Sequence, residues 1–210
     1  MTRVLIADDH EILRRGLRQI LADEFKSLKV GEATDAKTVL EAARQQPWDI
    51  ILLDINMPGR SGLEVLEDLM RLYPKLPVLM LSGFPEEDYA LRSFKLGASG
   101  YLTKQSAADE LIVAVRKALA GGKYVTAALA EKLASSLAGD APAAPHETLS
   151  NRELQVLRLI AAGKSIKEIG AELSLSEKTV GTYRARLAEK MGLGTNVDLT
   201  RYALQHHLVD

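Results

Sequence analysis

The sequence contains no cysteine, and this absence narrows the chemistry open to the protein. Neither a disulfide nor a thiolate metal site can form, which fits a protein that works in a reducing cytoplasm. No apolar run approaches the roughly 20 residues that span a bilayer. The first apolar run ends at once at Asp8, so no targeting signal is expected. We therefore expect a cytoplasmic protein with no membrane partner.

A glycine-rich phosphate loop is also missing. The segment after the first apolar run reads DDHEILRRG and holds neither a GxGxxG motif nor a P-loop. This argues against a nucleotide-binding domain. Residues 148–210 contain 9 Lys/Arg and 7 Asp/Glu, and this surplus of +2 is too small to indicate a nucleic-acid partner by itself.

Residues 1–122 alternate between short apolar runs and segments of helical period. The apolar runs are Val4–Ala7, Val30–Ala33, Ile50–Leu53, Val78–Leu81 and Gly100–Leu102. Such near-continuous runs of Ile, Leu and Val are typical of parallel strands buried on both faces. The helical stretches lie near 11–23, 36–45, 62–72, 86–96 and 107–120. The pattern predicts an α/β doubly wound domain with a five-stranded parallel sheet.

Chemically active side chains fall where the predicted strands end. Asp8 and Asp9 follow the first strand, and Asp54 ends the third. Because the carboxyl ends of parallel strands share one edge of the sheet, these carboxylates should converge and repel one another unless a cation joins them. An all-oxygen ligand set favours Mg²⁺. Ser82 and Lys104, at the ends of strands four and five, could hold a phosphoryl group at the same edge.

Over residues 1–122 the sequence resembles the receiver domain of two-component response regulators, on the stretches VLIADDH, LLDINMPGRSG, LSG and GYLTK. The resemblance implies that Asp54 is the phosphoacceptor and that a sensor histidine kinase is a partner. It implies that Asp9 ligates Mg²⁺ directly, Asp8 partly through water, and Asn56 through its backbone carbonyl.

The same resemblance assigns the phosphoryl oxygens to Ser82 and Lys104 and makes Tyr101 an aromatic switch, although Tyr101 could also be a plain strand-end aromatic. A Mg²⁺-dependent phosphohydrolase with Asp54 as nucleophile is the enzymatic alternative. Such enzymes usually place a second carboxylate two residues further on, where this sequence has Asn56. We therefore expect no enzyme. A receiver that controls DNA binding through a protein partner, without phosphate, remains an alternative.

Residues 123–147 read as a linker. A helix is predicted at Ala127–Leu137, and the segment GDAPAAP follows it. Pro142 and Pro145 lack amide donors and disfavour helix just before them.

Residues 148–210 predict a small all-α domain of four helices with a helix-turn-helix. N-cap signals stand at Ser150, Ser165, Ser176 and Thr195, and the first two have Glu three residues later, which makes a capping box. The run from LSNRELQVLRLI to RLAEKMGL resembles the LuxR-type domain of the NarL/FixJ regulators. The expected partner is double-stranded DNA.

The helix from Glu177 to Met191 is the predicted reader of the major groove. Val180, Leu187 and Met191 share one face, which should be core. By the resemblance, the main base-reading positions fall on Gly181, Thr182 and Ala185, and we expect Arg184 and Lys190 to face phosphates. The full predicted set of DNA contacts is Lys178, Thr179, Gly181, Thr182, Arg184, Ala185, Arg186 and Lys190.

The last helix, predicted at Asn196–His206, carries two apolar faces, one with Val197, Leu204 and Leu208 and one with Leu199, Tyr202, Ala203 and His206. One face should pack inward and the other onto a second copy of the chain, since in this family the last helix pairs two DNA-binding domains. We expect the Leu199 face to make that homodimer on DNA, under the control of phosphorylation at Asp54.

Overall fold

The computed structural model describes residues 1–58, 60–83, 86–127, 129–131, 144–206 and 208–209. The chain divides into two compact units, Met1–Ala138 and Gly139–Asp210. Within the described ranges, none of the helices has the length and apolar character needed to cross a membrane.

The first unit is built on a five-stranded parallel sheet with the strand order β2-β1-β3-β4-β5. The strands are β1 (Thr2–Ala7), β2 (Leu28–Ala33), β3 (Ile50–Asp54), β4 (Val78–Ser82) and β5 (Gly100–Thr103). The helices that alternate with them are α1 (Glu11–Glu24), α2 (Ala36–Gln45), α3 (Gly62–Leu72), α4 (Glu86–Lys95) and α5 (Ala107–Leu119). The predicted fold class is confirmed.

The interior strands β3 and β4 correspond to two of the continuous apolar runs in the sequence. Every residue of these two strands is buried, because helices cover both faces of a parallel sheet. One layer of the core joins β1, β3, α1 and α5 through Val4, Leu52, Leu17 and Leu111. This burial fixes the positions of the strand ends.

The register of the sheet brings four strand ends to one edge. Ala7 of β1 pairs with Leu53 of β3, and Asp54 pairs with Leu81 of β4. Ser82, the last residue of β4, pairs with Thr103 of β5. The residues that end or follow these strands are therefore neighbours in space, although they are far apart in the sequence.

The predicted linker is described only at its two ends. Residues 127 and 129–131 are helical, and the rest of the predicted helix at 127–137 lies outside the described residues. The chain is described again from residue 144, and Pro145–Thr148 form a short 3-10 helix. The division between the two units falls inside the predicted linker, while the boundaries 1–122, 123–147 and 148–210 stay a prediction.

The second unit contains four α-helices in its described residues: α6 (Asn151–Ala161), α7 (Ile166–Leu173), α8 (Glu177–Met191) and α9 (Asn196–Gln205). All four predicted N-caps are confirmed. The side chains of Ser150 and Ser165 close capping boxes, and those of Ser176 and Thr195 accept backbone N–H bonds. Each cap satisfies an amide that the first turn of a helix leaves without a partner.

The predicted pairing face of the last helix is wrong. Leu199 and Ala203 are fully buried, and α9 packs on α6. Val197 and Leu204 are instead exposed, at 68% and 48%. The helical period grouped Val197 with Leu204 and Leu199 with Ala203 correctly, but it could not say which face α6 covers. Leu208, predicted on the Val197 face, is buried, and His206, predicted on the Leu199 face, is exposed.

Candidate functional site

Two buried carboxylates lie at the centre of the shared sheet edge. Asp54 is the last residue of β3 and Asp8 directly follows β1, and both are fully buried. Asp9 and His10 continue the chain on the exposed side. One potential ligand atom from each of these four residues lies within 4.8 Å of the other three. The predicted convergence of Asp8, Asp9 and Asp54 is therefore what the structure shows.

His10, the last residue of the stretch VLIADDH, extends this cluster, although the sequence pattern assigned no role to it. Its Nδ1 lies 3.0 Å from Asp8 Oδ1 and 2.7 Å from Asp9 Oδ1. Its backbone N–H donates to Asp8 Oδ1 at 2.7 Å. The first turn after β1 thus holds the side chain of Asp8 from the backbone as well as from the imidazole.

Lys104 supplies the positive charge of the pocket. Its Nζ donates to Asp54 Oδ2 at 3.0 Å and lies 2.7 Å from Asp8 Oδ2. Burial disfavours the charged ammonium, but the two carboxylates outweigh this effect and raise the pKa of Lys104. The lysine therefore stays charged and links strand ends β1 and β3 to the segment after β5.

Asp54 is held in an unfavourable environment for a carboxylate. Burial, and then the negative charge of Asp8, raise its pKa to about 6, while Lys104 acts in the opposite direction. Its Oδ1 atom is buried and has no hydrogen-bond partner in the described part of the chain. A buried acceptor without a partner costs free energy, so this oxygen is suited to a cation or to a new covalent bond.

The donor set fits a hard divalent cation. Asp8, Asp9 and Asp54 offer carboxylate oxygens, which Mg²⁺ prefers. Asn56 lies two residues beyond Asp54 in the loop after β3 and is half-buried. The acidic cluster and the orphaned oxygen of Asp54 are both consistent with a cation at this edge.

Gly62, the last residue of the stretch LLDINMPGRSG, is a further requirement of the pocket to which the sequence pattern assigned no role. A Cβ at this position would lie 1.9 Å from the carbonyl oxygen of Asp54. The Gly62 N–H also donates to the carbonyl of Ile55 at 2.9 Å. Any larger residue would push the loop away from Asp54. The helical period shows that α3 begins here, but not how closely its first residue approaches β3.

Ser82 and Tyr101 lie on the adjoining strands. Ser82 is fully buried at the end of β4, and its carbonyl accepts the Lys104 N–H at 2.7 Å. Tyr101 pairs with Met80 in the sheet and is 1% exposed. The structure thus places Ser82 on β4, which pairs with the strand of Asp54, and Tyr101 on β5, one strand further out.

In the second unit, α8 has the two faces that the sequence predicted. Val180, Leu187 and Met191 are buried. The residues on the opposite side are exposed, namely Lys178, Thr182, Ala185, Arg186 and Glu189. A Cβ at Gly181 would meet nothing within 4 Å, so this position leaves open space on the helix surface.

Two predicted phosphate contacts are engaged within the domain. Arg184 donates to Asn196 Oδ1 at 2.8 Å and to the Gly194 carbonyl at 3.2 Å. Lys190 donates to Glu153 Oε2 at 2.7 Å. Burial opposes ionisation of Glu153, but hydrogen bonds from Lys190 and Ser150 outweigh it and lower the pKa of that carboxyl. Both cations therefore tie α8 to neighbouring elements.

The turn between α7 and α8 is tight. Ser174 adopts a left-handed conformation with φ of 53°. A Cβ at Gly170 would lie 2.7 Å from the carbonyl oxygen of Leu175, so glycine permits the close approach of helix and turn. Two helices joined in this way form a helix-turn-helix.

Comparison with known families agrees with both parts of this description. Residues 4–116 match the family described as response regulator receiver domain. Residues 147–203 match the family described as bacterial regulatory proteins, luxR family. The chain belongs to the response regulators that join these two domains. It is a regulator of transcription and not an enzyme.

Individual relatives resemble the chain over its whole length. It is 36% identical to the response regulator GacA of Pseudomonas aeruginosa over 211 residues, covering 100% of this chain and 99% of that protein. It is also 36% identical to the response regulator UvrY of Escherichia coli, covering 99% and 96%. RcsB of Salmonella enterica serovar Typhimurium, solved on the promoter rprA with the phosphomimetic BeF3−, matches with a TM-score of 0.64 and 26% identity over 96% and 97%.

Proposed function

We propose that Asp54 accepts a phosphoryl group from a sensor histidine kinase, and that this modification controls the binding of a dimer to DNA. The observation that carries the proposal is the buried Asp54 carboxylate, which has one oxygen on Lys104 and the other without a partner among the described residues. Such a carboxylate is placed to act as a nucleophile towards phosphorus.

The transfer itself is a displacement at phosphorus. A carboxylate oxygen of Asp54 forms the new P–O bond as the bond to the donor's imidazole nitrogen breaks, and the product is an acyl phosphate. Asp8, Asp9, Asp54 and the Asn56 carbonyl would hold Mg²⁺, which neutralises charge on the phosphoryl oxygens. Lys104 and Ser82 would bind those oxygens from the other side.

The acceptor role is favoured over turnover of phosphate esters by the residue two positions after Asp54. Phosphohydrolases with an aspartate nucleophile usually place their second acid-base carboxylate at that position. The position two residues on from Asp54 is Asn56, and an amide cannot transfer a proton in that way. We expect only slow loss of phosphate from Asp54.

The second unit would bind double-stranded DNA through the exposed face of α8. That face carries small and basic residues around Thr182, which suits entry into the major groove. RcsB, which shares both domains, has been solved as two dimers bound to two parallel DNAs, with 25% identity and a TM-score of 0.59. We propose the same mode of use for the helix-turn-helix of this chain.

The exposed face of α9 is our proposed pairing surface on DNA. Val197 and Leu204 lie seven residues apart on this helix, so they share a face, and both are exposed. Covering them with a second copy would remove apolar area from water. This replaces the Leu199 face, which the core of the domain already occupies.

Phosphorylation of Asp54 can be tested directly. Incubation with acetyl phosphate and Mg²⁺ should add one phosphate by intact mass, and chelation of Mg²⁺ should stop it. Asp54→Asn should abolish the addition, while Asp109→Asn, an exposed aspartate at the start of α5, should not. Undiminished labelling of Asp54→Asn would refute the assignment.

The output is tested by footprinting of genomic DNA with and without the phosphodonor. We expect protected sites that strengthen when acetyl phosphate is present and that do not strengthen in Asp54→Asn. Equal protection under both conditions would favour the alternative in which a protein partner controls DNA binding without phosphate.

A further inference from the structure

Arg14 is a nearly buried cation beside the acidic pocket. It lies on α1, and the residue is 9% exposed. One of its nitrogens, Nη1, donates to the backbone carbonyl of Asp8 at 2.9 Å, and Nε donates to Glu32 Oε2 on β2 at 2.9 Å. Arg14 therefore joins α1, β2 and the turn that carries Asp8.

The peptide groups on both sides of Asp8 are held by this arrangement. The Asp8 N–H donates to the carbonyl of Ala33 at the end of β2, at 3.1 Å, and the Asp8 carbonyl accepts from Arg14. Glu32 immediately precedes Ala33, so both hydrogen-bond restraints on Asp8 connect it to the same end of β2. The planar guanidinium has a fixed fork of donors, so it sets the Asp8 carbonyl at a defined distance from Glu32.

We propose that Arg14 is a positioning residue of the cation site: it holds the backbone of Asp8 so that the carboxylates of Asp8 and Asp9 face Asp54. The inference rests on the proposed function, because it concerns the same Mg²⁺ site. Groups that orient metal ligands without touching the metal typically change metal affinity by about 10–100-fold when they are removed.

A sequence signal for this role exists. Arg14, Leu17 and Leu21 are spaced three and four residues apart, so Arg14 shares the buried face of α1 with two leucines. A buried arginine requires a partner, and Glu32 is on the neighbouring strand. The pairing itself became visible only when the fold placed β2 beside the start of α1.

The chain offers a matched control one turn further along α1. Arg18 Nη1 lies 3.9 Å from the other oxygen of Glu32, and its side chain is 64% exposed. Arg18 therefore has the same charge and the same acidic neighbour, but it does not hold the Asp8 carbonyl, which Arg14 occupies. Arg14→Met and Arg18→Met each remove one positive charge near Glu32, so they separate positioning from general electrostatics.

Full-length variants should be compared by calorimetric titration with MgCl2 and by thermal unfolding in EDTA. We expect Arg14→Met to weaken Mg²⁺ binding by about tenfold, Arg14→Lys to restore part of the loss, and Arg18→Met to change it less than about twofold. Phosphorylation of Arg14→Met by acetyl phosphate should recover as Mg²⁺ is raised to saturation, since Asp54 is intact.

A purely structural role predicts a different outcome. Arg14→Met would then unfold at lower temperature yet bind Mg²⁺ with unchanged affinity, and this result would overturn the inference. If Arg14→Met does not fold, Arg14→Lys and Glu32→Gln are titrated with MgCl2 in its place. Wild-type Mg²⁺ affinity in both variants would reject the positioning role. If the wild-type chain binds no Mg²⁺ and accepts no phosphate, the proposed function fails first, and the positioning role fails with it.

Discussion

Lys104 Nζ lies 3.0 Å from Asp54 Oδ2, and the same atom lies 2.7 Å from Asp8 Oδ2. One ammonium group thus serves two fully buried carboxylates. The pocket keeps an excess of negative charge, because one positive charge cannot balance two negative ones. Burial, and then this negative charge, raises the pKa of Asp54, and the excess charge favours the binding of a divalent cation.

Asp54→Asn should stabilise the protein when Mg²⁺ is absent. The pKa of Asp54 is raised from 3.8 to about 6, so the folded state disfavours the ionised form. The cost is present above pH 6 and is relieved as the pH falls from about 6 towards 3.8. At about 1.4 kcal/mol per pKa unit, the gain at pH 7 is on the order of 2–3 kcal/mol, to be measured by urea unfolding in EDTA.

A control at the other end of β3 should change stability in the opposite direction. A hydrogen bond from Arg3 lowers the pKa of Asp49, so the folded state favours its ionised form. Asp49→Asn should therefore destabilise the protein at pH 7. Equal effects of the two substitutions would contradict the assignment of Asp54 as a strained carboxylate.

Lys104→Met should tighten the binding of Mg²⁺ while it destabilises the metal-free protein. The ammonium and the cation compete for the same carboxylates, so removing one favours the other. We expect an increase in affinity on the order of tenfold, equivalent to about 1.4 kcal/mol, measured by calorimetric titration. Lys117→Met, at an exposed position on α5, should leave the affinity unchanged; weaker binding by Lys104→Met would contradict the shared-carboxylate description.

Thr182→Ala and Arg186→Ala should affect DNA binding in different ways. Both residues are exposed on α8. Thr182→Ala should reduce the binding free energy for the cognate site by about 1–3 kcal/mol and relax the preference at one base pair. Arg186→Ala should weaken binding to all DNA sequences alike, and it should reduce by about one unit the slope of the binding constant against salt concentration on logarithmic scales. Arg186 replaces Arg184 and Lys190 in this test because those two hold Asn196 and Glu153. Titration of cognate and scrambled DNA at several salt concentrations distinguishes the two outcomes, and identical losses of specificity would refute the division.

Leu204→Lys should prevent the dimer from forming on DNA. The side chain is exposed on α9, and a charge there would be buried without a partner on pairing. Light scattering with beryllofluoride should show an increase in mass for the wild type and none for Leu204→Lys. The neighbouring Gln205→Lys adds the same charge to another side of the helix and should still pair. If Leu204→Lys also pairs, the proposed surface is wrong.

The bounds of the strands were largely predictable because a strand that is buried on both faces appears in the sequence as a continuous apolar run. The run Ile50–Leu53 became β3, which ends one residue later at Asp54. The capping residues Ser150 and Ser165 located the starts of α6 and α7, since a cap acts on amides only a few residues away. Local interactions of this kind can be read from the chain alone.

Interactions across the fold could not be read in the same way. The sequence placed Lys190 on the DNA side of α8. In the structure its ammonium donates a hydrogen bond to Glu153, which lies 37 residues away in the chain. Nothing in the pattern indicated that Gly62 must approach the Asp54 carbonyl closely. These contacts depend on how helices and strands pack, which no periodicity records.

The sequence by itself determined the strand ends, and with them the meeting of Asp8, Asp54 and Lys104, because parallel strands of one sheet bring their carboxyl ends to one edge. It also determined which residues of α8 are core and which are exposed, because the helical period separates its faces. Tertiary structure alone decided the environment of each group. It buried Leu199 of α9 and left Val197 and Leu204 exposed, and it placed Arg14 where it donates to the Asp8 carbonyl. Both outcomes depend on which elements pack against each surface, and these elements are distant in the sequence.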